Sequence, residues 1–540
     1  MRPDSESKVR AGFSGVKVIR RAGTVSGMNR SVILAALVPL LAVAAPREIG
    51  PGANLSTEIS TLMPGDELIL RGGMYPVTSL FRIDRNGMPG SPIIIRSKAG
   101  EQAIINRPNA NQNIVDIASR YLELRDLEFS GGSAGLRFLS GASFITIEGC
   151  NVHDTDDVAI RANDSGALYD GFRIVRNQVH HTSGTGEGMY LGCNSASCRF
   201  ANGLIAGNWV HHMNGPGIVQ GDGIEVKEGS YNNVIRDNVI HDTNYPCLTL
   251  YSAGTNAATP NIIERNVMWR CGDHGIQVTR DARVQNNIVL SAASDGISVQ
   301  AHAQVPSGPG AVQIVNNTVL DANGSAIAVR GATSAILVAN NAVYTSSGAA
   351  LFVNGSGTNV TFSNNVGVGT AAMLTMGNLT NDFVGANLGG TVPNEVFPKT
   401  GSALIGAGLA TAAPMDDFNG TTRTTPTTVG AYQSAAMNPG WTLAAGFKAM
   451  VSTGGGAGGG SAGGSASAGG SASAGGSASA GGTTSAGGTA SSGGAASLGG
   501  GAAGGGALNE MPVGCGCSTD SGAILLLAML SLATLSRRAR

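Results

Sequence analysis

An all-β fold, a parallel β-helix that stacks coil on coil as a solenoid, is predicted by three observations. A short β-branched segment ending in Asn recurs between Leu122 and Val368. The recurrence interval varies while the segment does not, so extra residues bulge out of turns and leave the stack intact. Aromatics make up only 5% of the 540 residues, which suits a core of stacked small aliphatics better than one built around rings, while the 81 Gly show that part of the length is not globular.

The repeat reads FRIVRN to Asn177, GLIAGN to Asn208, NVIRDN to Asn238, NIIERN to Asn266, ARVQNN to Asn287, VQIVNN to Asn317, ILVANN to Asn341 and VTFSNN to Asn365. FITIEGC, ending at Cys150, precedes them, and the successive intervals are 27, 31, 30, 28, 21, 30, 24 and 24 residues. A propeller needs about 40 or more residues per blade, and the leucine-rich pattern is absent. Asn suits the repeated corner on two counts. It tolerates left-handed backbone, and its amide can bond the same amide one coil above. Ile, Val and Leu then face inward at the strand spacing of about 4.8 Å.

Both ends read as processing signals. Ser31–Ala45 is an apolar run after Arg30, too short to span a bilayer, that closes on Ala42-Val43-Ala44. Residues 1–45 are therefore expected to be a signal peptide, with Met28 an alternative start. Residues 46–110 form the N-terminal cap and first coils, with Leu55–Met63 a short amphipathic capping helix. Residues 111–370 are the repeats and 371–440 the C-terminal coils and closing segment. Residues 441–510 form a Gly/Ala/Ser linker that cannot bury a core, and 511–540 a Cys motif, an apolar helix and a basic end. Export makes a Cys193–Cys198 disulfide plausible, and leaves open whether Cys247 and Cys271 are bridged. Formal net charge is −1, so nothing global attracts nucleic acid, and a monomer is expected.

Two resemblances add to this. The run PGDELILRGGMYPV, followed by SPIIIRSKAGEQAII, resembles the opening coils of right-handed β-helix polysaccharide lyases and epimerases. The later SALIGAG and DDFNGTTRTTPTTVGAYQ resemble the closing segment of secreted bacterial β-helix proteins. Together they imply a right-handed, pectate lyase-like helix over roughly residues 50–435. The order of linker, Cys515 and Cys517, apolar Gly522–Leu535 and Arg537-Arg538-Ala539-Arg540 resembles the sorting tails of myxobacterial surface proteins. It implies processing near those cysteines and attachment to the cell envelope at the outer surface. An uncut membrane anchor would give the same address.

Candidate chemistry lies in two columns. A strand after each Asn corner aligns on I-x-V: DDVAIR, EGMYLG, DGIEVK, PCLTLY, HGIQVT and DGISVQ. This puts Glu187 and Asp222 in one column, and Arg161, Lys227 and Tyr251 in another. Glu225 and Lys227 both face outward, because side chains alternate. A further column holds His153, His180, His211, His241 and Trp269, beside Asp154, His181, His212, Asp242 and Arg270. Histidines, acids and Lys227 are expected to form one patch.

Three readings follow. GDGIEVKEGSYNNVIRDN resembles the lysine-bearing coil of the chondroitinase-B and alginate-lyase group. That likeness implies Ca²⁺-assisted β-elimination on an acidic polysaccharide, with Glu187, Asp222 and Glu225 as oxygen ligands and Lys227 as base. The group carries an Arg on the next coil where this chain has Tyr251, a candidate proton donor, and His211 completes the catalytic set. Substrate would contact His180, His181, Tyr190, His212, His241, Trp269 and Arg270. Glu225 and Glu228 would hold Lys227 protonated unless a cation cancels their charge. C5-epimerisation shares the same proton abstraction. The second reading is a transition-metal site on the histidine ladder. The third is a non-catalytic rod that binds glycan or stiffens the envelope, with Tyr190, Trp209, Tyr245, Tyr251 and Trp269 as stacking platforms. In that case Glu225–Lys227 is a solvated ion pair.

Overall fold

The computed structural model describes residues 46–451, except 356 and 372. The apolar run before Pro46, most of the linker, Cys515, Cys517 and the basic tail lie outside the described residues. Among the described residues, three long sheets of 13, 11 and 13 strands run side by side. The first sheet extends from Arg47–Ile49 to Val360–Ser363, the second from Arg82–Ile83 to Leu351–Asn354, and the third from Gly73–Pro76 to Leu374–Met376. Every pairing within these sheets is parallel, and each strand pairs with its counterpart one coil on. The result is a parallel solenoid of about 11 turns.

Inward residues such as Ile147, Ile174, Ile205, Ile235, Ile263 and Val284 are fully buried in register along the first sheet. Each such side chain contributes about 1.5–3 kcal/mol over leaving it in water. At the N-terminal end the expected cap forms over Leu55–Ser60, shorter than Leu55–Met63. Asn54 caps it by accepting from Thr57 N–H (3.1 Å), and Leu55 and Ile59 close the core.

The Asn corners form a continuous ladder. From Asn177 to Asn341 each Nδ2 and each backbone N–H donates to Oδ1 of the next Asn, at 2.9–3.1 Å. The expected backbone geometry is displaced by one residue. The left-handed position is the residue before the ladder Asn: Arg176, Gly207, Asp237, Arg265, Asn286, Asn316, Asn340 and Asn364, with φ of 53–64°. The turn is made there, and the ladder Asn stays in ordinary geometry with its amide aimed along the rod.

The C-terminal region departs from the expected coils. After Leu374–Met376 the chain leaves the solenoid, forms the antiparallel pair Phe383–Gly385 and Glu395–Pro398, and runs back over the outer face of the third sheet. There Phe383, Val396, Leu404, Phe418, Val429, Tyr432 and Leu443 bury Val239, Val267, Trp269, Ile288, Leu290 and Tyr344 in a second core. Packing continues past residue 441, where the linker was expected to begin: Phe447 meets Trp209 edge to face, with centroids 6.0 Å apart. Both Cys193–Cys198 and Cys247–Cys271 are disulfides, and Cys150 is a buried thiol.

Candidate functional site

The structure resolves the expected patch into two clusters on different sheets. The histidines stand on the third sheet, where His153, His180, His211, His241 and Trp269 are direct register partners. Their rings stack at centroid distances of 4.8, 4.9, 5.3 and 4.5 Å, with interplanar angles of 11° or less. The next residue in each coil is left-handed: Asp154, His181, His212, Asp242 and Arg270 have φ of 49–59°. That twist breaks strand alternation, so two consecutive side chains face outward before Thr155, Thr182, Met213 and Thr243 turn in. It also brings Nδ1 of His180 to Nδ1 of His181, and Nδ1 of His211 to Nδ1 of His212, each pair at 2.6 Å. Each such contact holds a single shared proton.

Burial, reinforced by the neighbouring imidazoles, lowers His180 to about 4 and His211 to about 3. Burial also lowers His241, despite Asp242 beside it. His212, His241 and Asp242 place their ligand atoms within 4.8 Å of one another, the spacing of a metal trio. Their bonds are already committed. Trp209 Nε1–H donates to His241 Nε2 (3.0 Å), which leaves the ring proton on Nδ1 to donate to Asp242 Oδ2 (2.6 Å). Arg270 then pairs with both Asp242 oxygens at 2.6 and 2.7 Å. Burial alone would raise the Asp242 carboxyl, but the hydrogen bonds from Arg270 and His241, with their charges, outweigh it and hold the group at about 2. The trio is a closed network, which disfavours the transition-metal reading.

Trp269 departs from its expected role. It is fully buried under the returning C-terminal segment, within the second core. No sugar can stack on it there. Arg270, His181 and His212 remain exposed.

The acids and Lys227 stand on the second sheet. Register aligns Arg161, Tyr190, Glu225, Thr249 and Gln277 as one outward column. Arg161 therefore sits two places from its expected position in the Lys227 column. Its guanidinium pairs with Asp157 (3.0 Å). Lys227 Nζ donates to Glu225 Oε1 at 2.6 Å and lies 4.7 Å from the Tyr190 ring centroid and 5.1 Å from that of Tyr251. Tyr251 OH donates to the same Glu225 oxygen (3.3 Å), and Thr249 OH donates to Asp222 Oδ1 (2.6 Å).

This pair is not solvated. Although outward-facing, Glu225 and Lys227 are only 3% and 5% exposed. Burial alone would lower the Lys227 ammonium, but Glu225, Tyr190 and Glu228 outweigh it and hold the group above the ordinary lysine range. Burial and the Glu225 charge push Glu187 up to about 7 and Asp222 well above the usual carboxylate range. Glu187 Oε2 and Glu225 Oε2 are buried with no hydrogen-bond partner among the described residues. Hard, crowded oxygen donors with unfilled valence fit a Ca²⁺ ion.

His211 does not reach this cluster. It contacts His180, His212, His241, Trp209 and Gln178 on the third sheet, whereas Lys227 is held by Glu225 and two tyrosines on the second. One residue that the sequence did not single out does. His302 stacks on Tyr251 at 4.1 Å, and its Nδ1 lies 2.9 Å from Glu228 Oε1. Its only sequence signal is its place in an unusually long turn, 300–309, where one coil earlier Thr279 alone makes the connection.

A family model described as right handed beta helix region matches residues 201–307, which include Lys227, Tyr251 and His302. No curated protein matches the chain. Among solved structures, an alginate lyase from Paenibacillus sp. strain FPU-7 is similar at 16% identity and a TM-score of 0.39, over 58% of this chain and 99% of that one. Pectate lyase Pel9A is similar at 15% identity and 0.42, over 73% and 98%. The A-module of the Azotobacter vinelandii mannuronan C-5 epimerase AlgE4 is similar at 14% identity and 0.44, over 59% and 92%.

Proposed function

We propose that this protein cleaves an acidic polysaccharide by β-elimination at Lys227, assisted by Ca²⁺ held between Glu187, Asp222 and Glu225. The observation that carries the reading is the unfilled valence of Glu187 Oε2 and Glu225 Oε2, buried beside a lysine that only cancellation of their charge can free. The likeness of residues 221–238 to the lysine-bearing lyase coil supports it independently. When bound, the ion would supply positive charge to these carboxylates and to the carboxylate of the sugar. With the carboxylate charge cancelled, the Lys227 ammonium would first release a proton to solvent, and the neutral Nζ then takes the proton from the carbon alpha to the sugar carboxylate. The electron pair forms the ring double bond as the C–O bond to the 4-linked oxygen breaks, and Tyr251 OH protonates the departing oxygen. His211 takes no part in this step.

The near-complete burial of Lys227 favours a second reading, a structural ion pair inside a rod that binds glycan without cleaving it. Incubation of the full chain with pectate, alginate and chondroitin separates the two. The lyase reading expects ultraviolet absorbance from an unsaturated product, lost in Lys227→Ala. Binding without product from any polymer overturns it, and an inverted uronate without absorbance points to epimerisation. We also propose attachment at the outer cell surface, supported by the apolar run before Pro46 and the Cys-containing tail.

A further inference from the structure

The turn at 300–309 does more than connect two strands. Its base is clamped by Arg280, whose guanidinium donates to the carbonyls of Ser307 (2.8 Å) and Gly308 (2.7 Å). From there it folds back along the rod toward earlier coils. His302 lies against Tyr251 and Glu228, and Gln304 Oε1 accepts from Ser195 N–H (2.6 Å) in the disulfide loop Cys193–Cys198. A strap anchored at one coil thus reaches residues of three earlier ones. Under it Tyr251 is 8% exposed, although it belongs to an outward column of the second sheet.

We infer that the Tyr251 face and the Glu228 carboxylate form a saccharide subsite, which His302 occupies as an internal plug until substrate displaces the strap. The chemistry of the position suits a pyranose ring. An aromatic face takes the apolar side of a sugar, and a carboxylate with open lone pairs accepts from its hydroxyls. The imidazole occupies both places, with its ring over Tyr251 and its Nδ1 2.9 Å from Glu228 Oε1, but it makes no hydrogen bond to that carboxylate. Both Glu228 oxygens and His302 Nδ1 are buried with no hydrogen-bond partner among the described residues, so the plug fills the subsite without satisfying its polar groups. The inference rests on the saccharide reading of the Lys227 pocket, and on nothing in the elimination step.

Calorimetric titration of the full chain with unmodified oligosaccharides from alginate, pectate and chondroitin tests it. His302→Ala is expected to bind whichever fragment the protein accepts at least tenfold more tightly. Gln304→Ala releases the latch without touching Tyr251 and should move affinity the same way by a smaller factor. Tyr251→Ala added to His302→Ala should abolish the gain. Unchanged or weakened binding in both single variants overturns the plug, as does the absence of binding to every fragment. Tighter binding in His302→Ala without unsaturated product from any polymer keeps the subsite and removes the lyase.

Discussion

Lys448 Nζ lies 2.6 Å from Asp237 Oδ1, across 211 positions of sequence, and both groups are buried. Asp237 is the left-handed residue of an Asn corner, and Lys448 is near the end of the segment that returns over the third sheet. The pair fixes that segment onto the coils it covers. Removing one partner of a buried ion pair strands the other charge. Lys448→Ala is expected to cost about 3 kcal/mol in chemical denaturation, at the low end of that class. The moderation comes from Arg265 Nε, which stays 3.4 Å from Asp237. A loss below about 0.5 kcal/mol would show that the returning segment is held by its apolar contacts alone.

The Asn ladder carries a second expectation. Asn266 is fully buried, donates to Ile235 O and Asn287 Oδ1, and accepts from both the backbone and the side chain of Asn238. Asn266→Ala removes four hydrogen bonds and leaves two buried donors on Asn238 unmade. Its expected cost is about 3–5 kcal/mol, while the exposed Asn111→Ala should stay within about 0.5 kcal/mol. Guanidinium denaturation of the two variants side by side measures the difference.

This ladder was legible because each coil repeats its own answer. An Asn every 21 to 31 residues beside β-branched pairs suits few folds besides a stacked coil. The one-residue displacement of the left-handed corner was not legible, since Asn fits either role. In four corners the preceding residue is Asn as well, at 286, 316, 340 and 364. The histidine stack was also readable, because the same count of three residues from Cys150 and from the corners at Asn177, Asn208 and Asn238 lands on His153, His180, His211 and His241.

What stayed hidden depends on long-range packing. Arg161 was misaligned because its coil differs by two residues in the turn before the second sheet, a shift that only hydrogen-bond register reveals. Trp269 matched its column, yet the returning segment buries it, and nothing in that segment's sequence names the face it covers. His302 reaches Tyr251 through a turn whose length could be counted but whose direction could not.

Stacking makes the histidines electrostatically unusual. His211 at about 3 and His180 at about 4 lie below the ordinary 6.5, so the unfolded chain takes up protons before the folded one does. The stability these two rings contribute is therefore fully present above about pH 6.5 and is lost as pH falls from there through about 4 for His180 and about 3 for His211. Imidazole NMR titration is expected to show both rings neutral at about pH 5. Replacing His211 with Phe should flatten the acid limb of the stability curve. If His180 or His211 titrates near 6.5 in the intact protein, the burial argument fails.

Glu187 gives the opposite slope and connects stability to the proposed ion. Its folded value of about 7 exceeds the ordinary 4.5, because burial and Glu225 penalise its charge. Between those values the folded state keeps a proton that the unfolded state releases. Its contribution is present below about pH 4.5 and is lost as pH rises to 7, an effect on the order of 3 kcal/mol. The histidines act in the reverse sense over part of this range, so the quantity to measure is the difference between wild type and Glu187→Gln. In chelator, that difference should widen in favour of Glu187→Gln from about pH 5 to about pH 8. Added Ca²⁺ should stabilise wild type at the higher pH, where Glu187 is ionised, and leave Glu187→Gln little changed. If thermal midpoints in calcium and in chelator coincide for wild type at about pH 8, the carboxylates hold no ion, and Lys227 stays bound to Glu225.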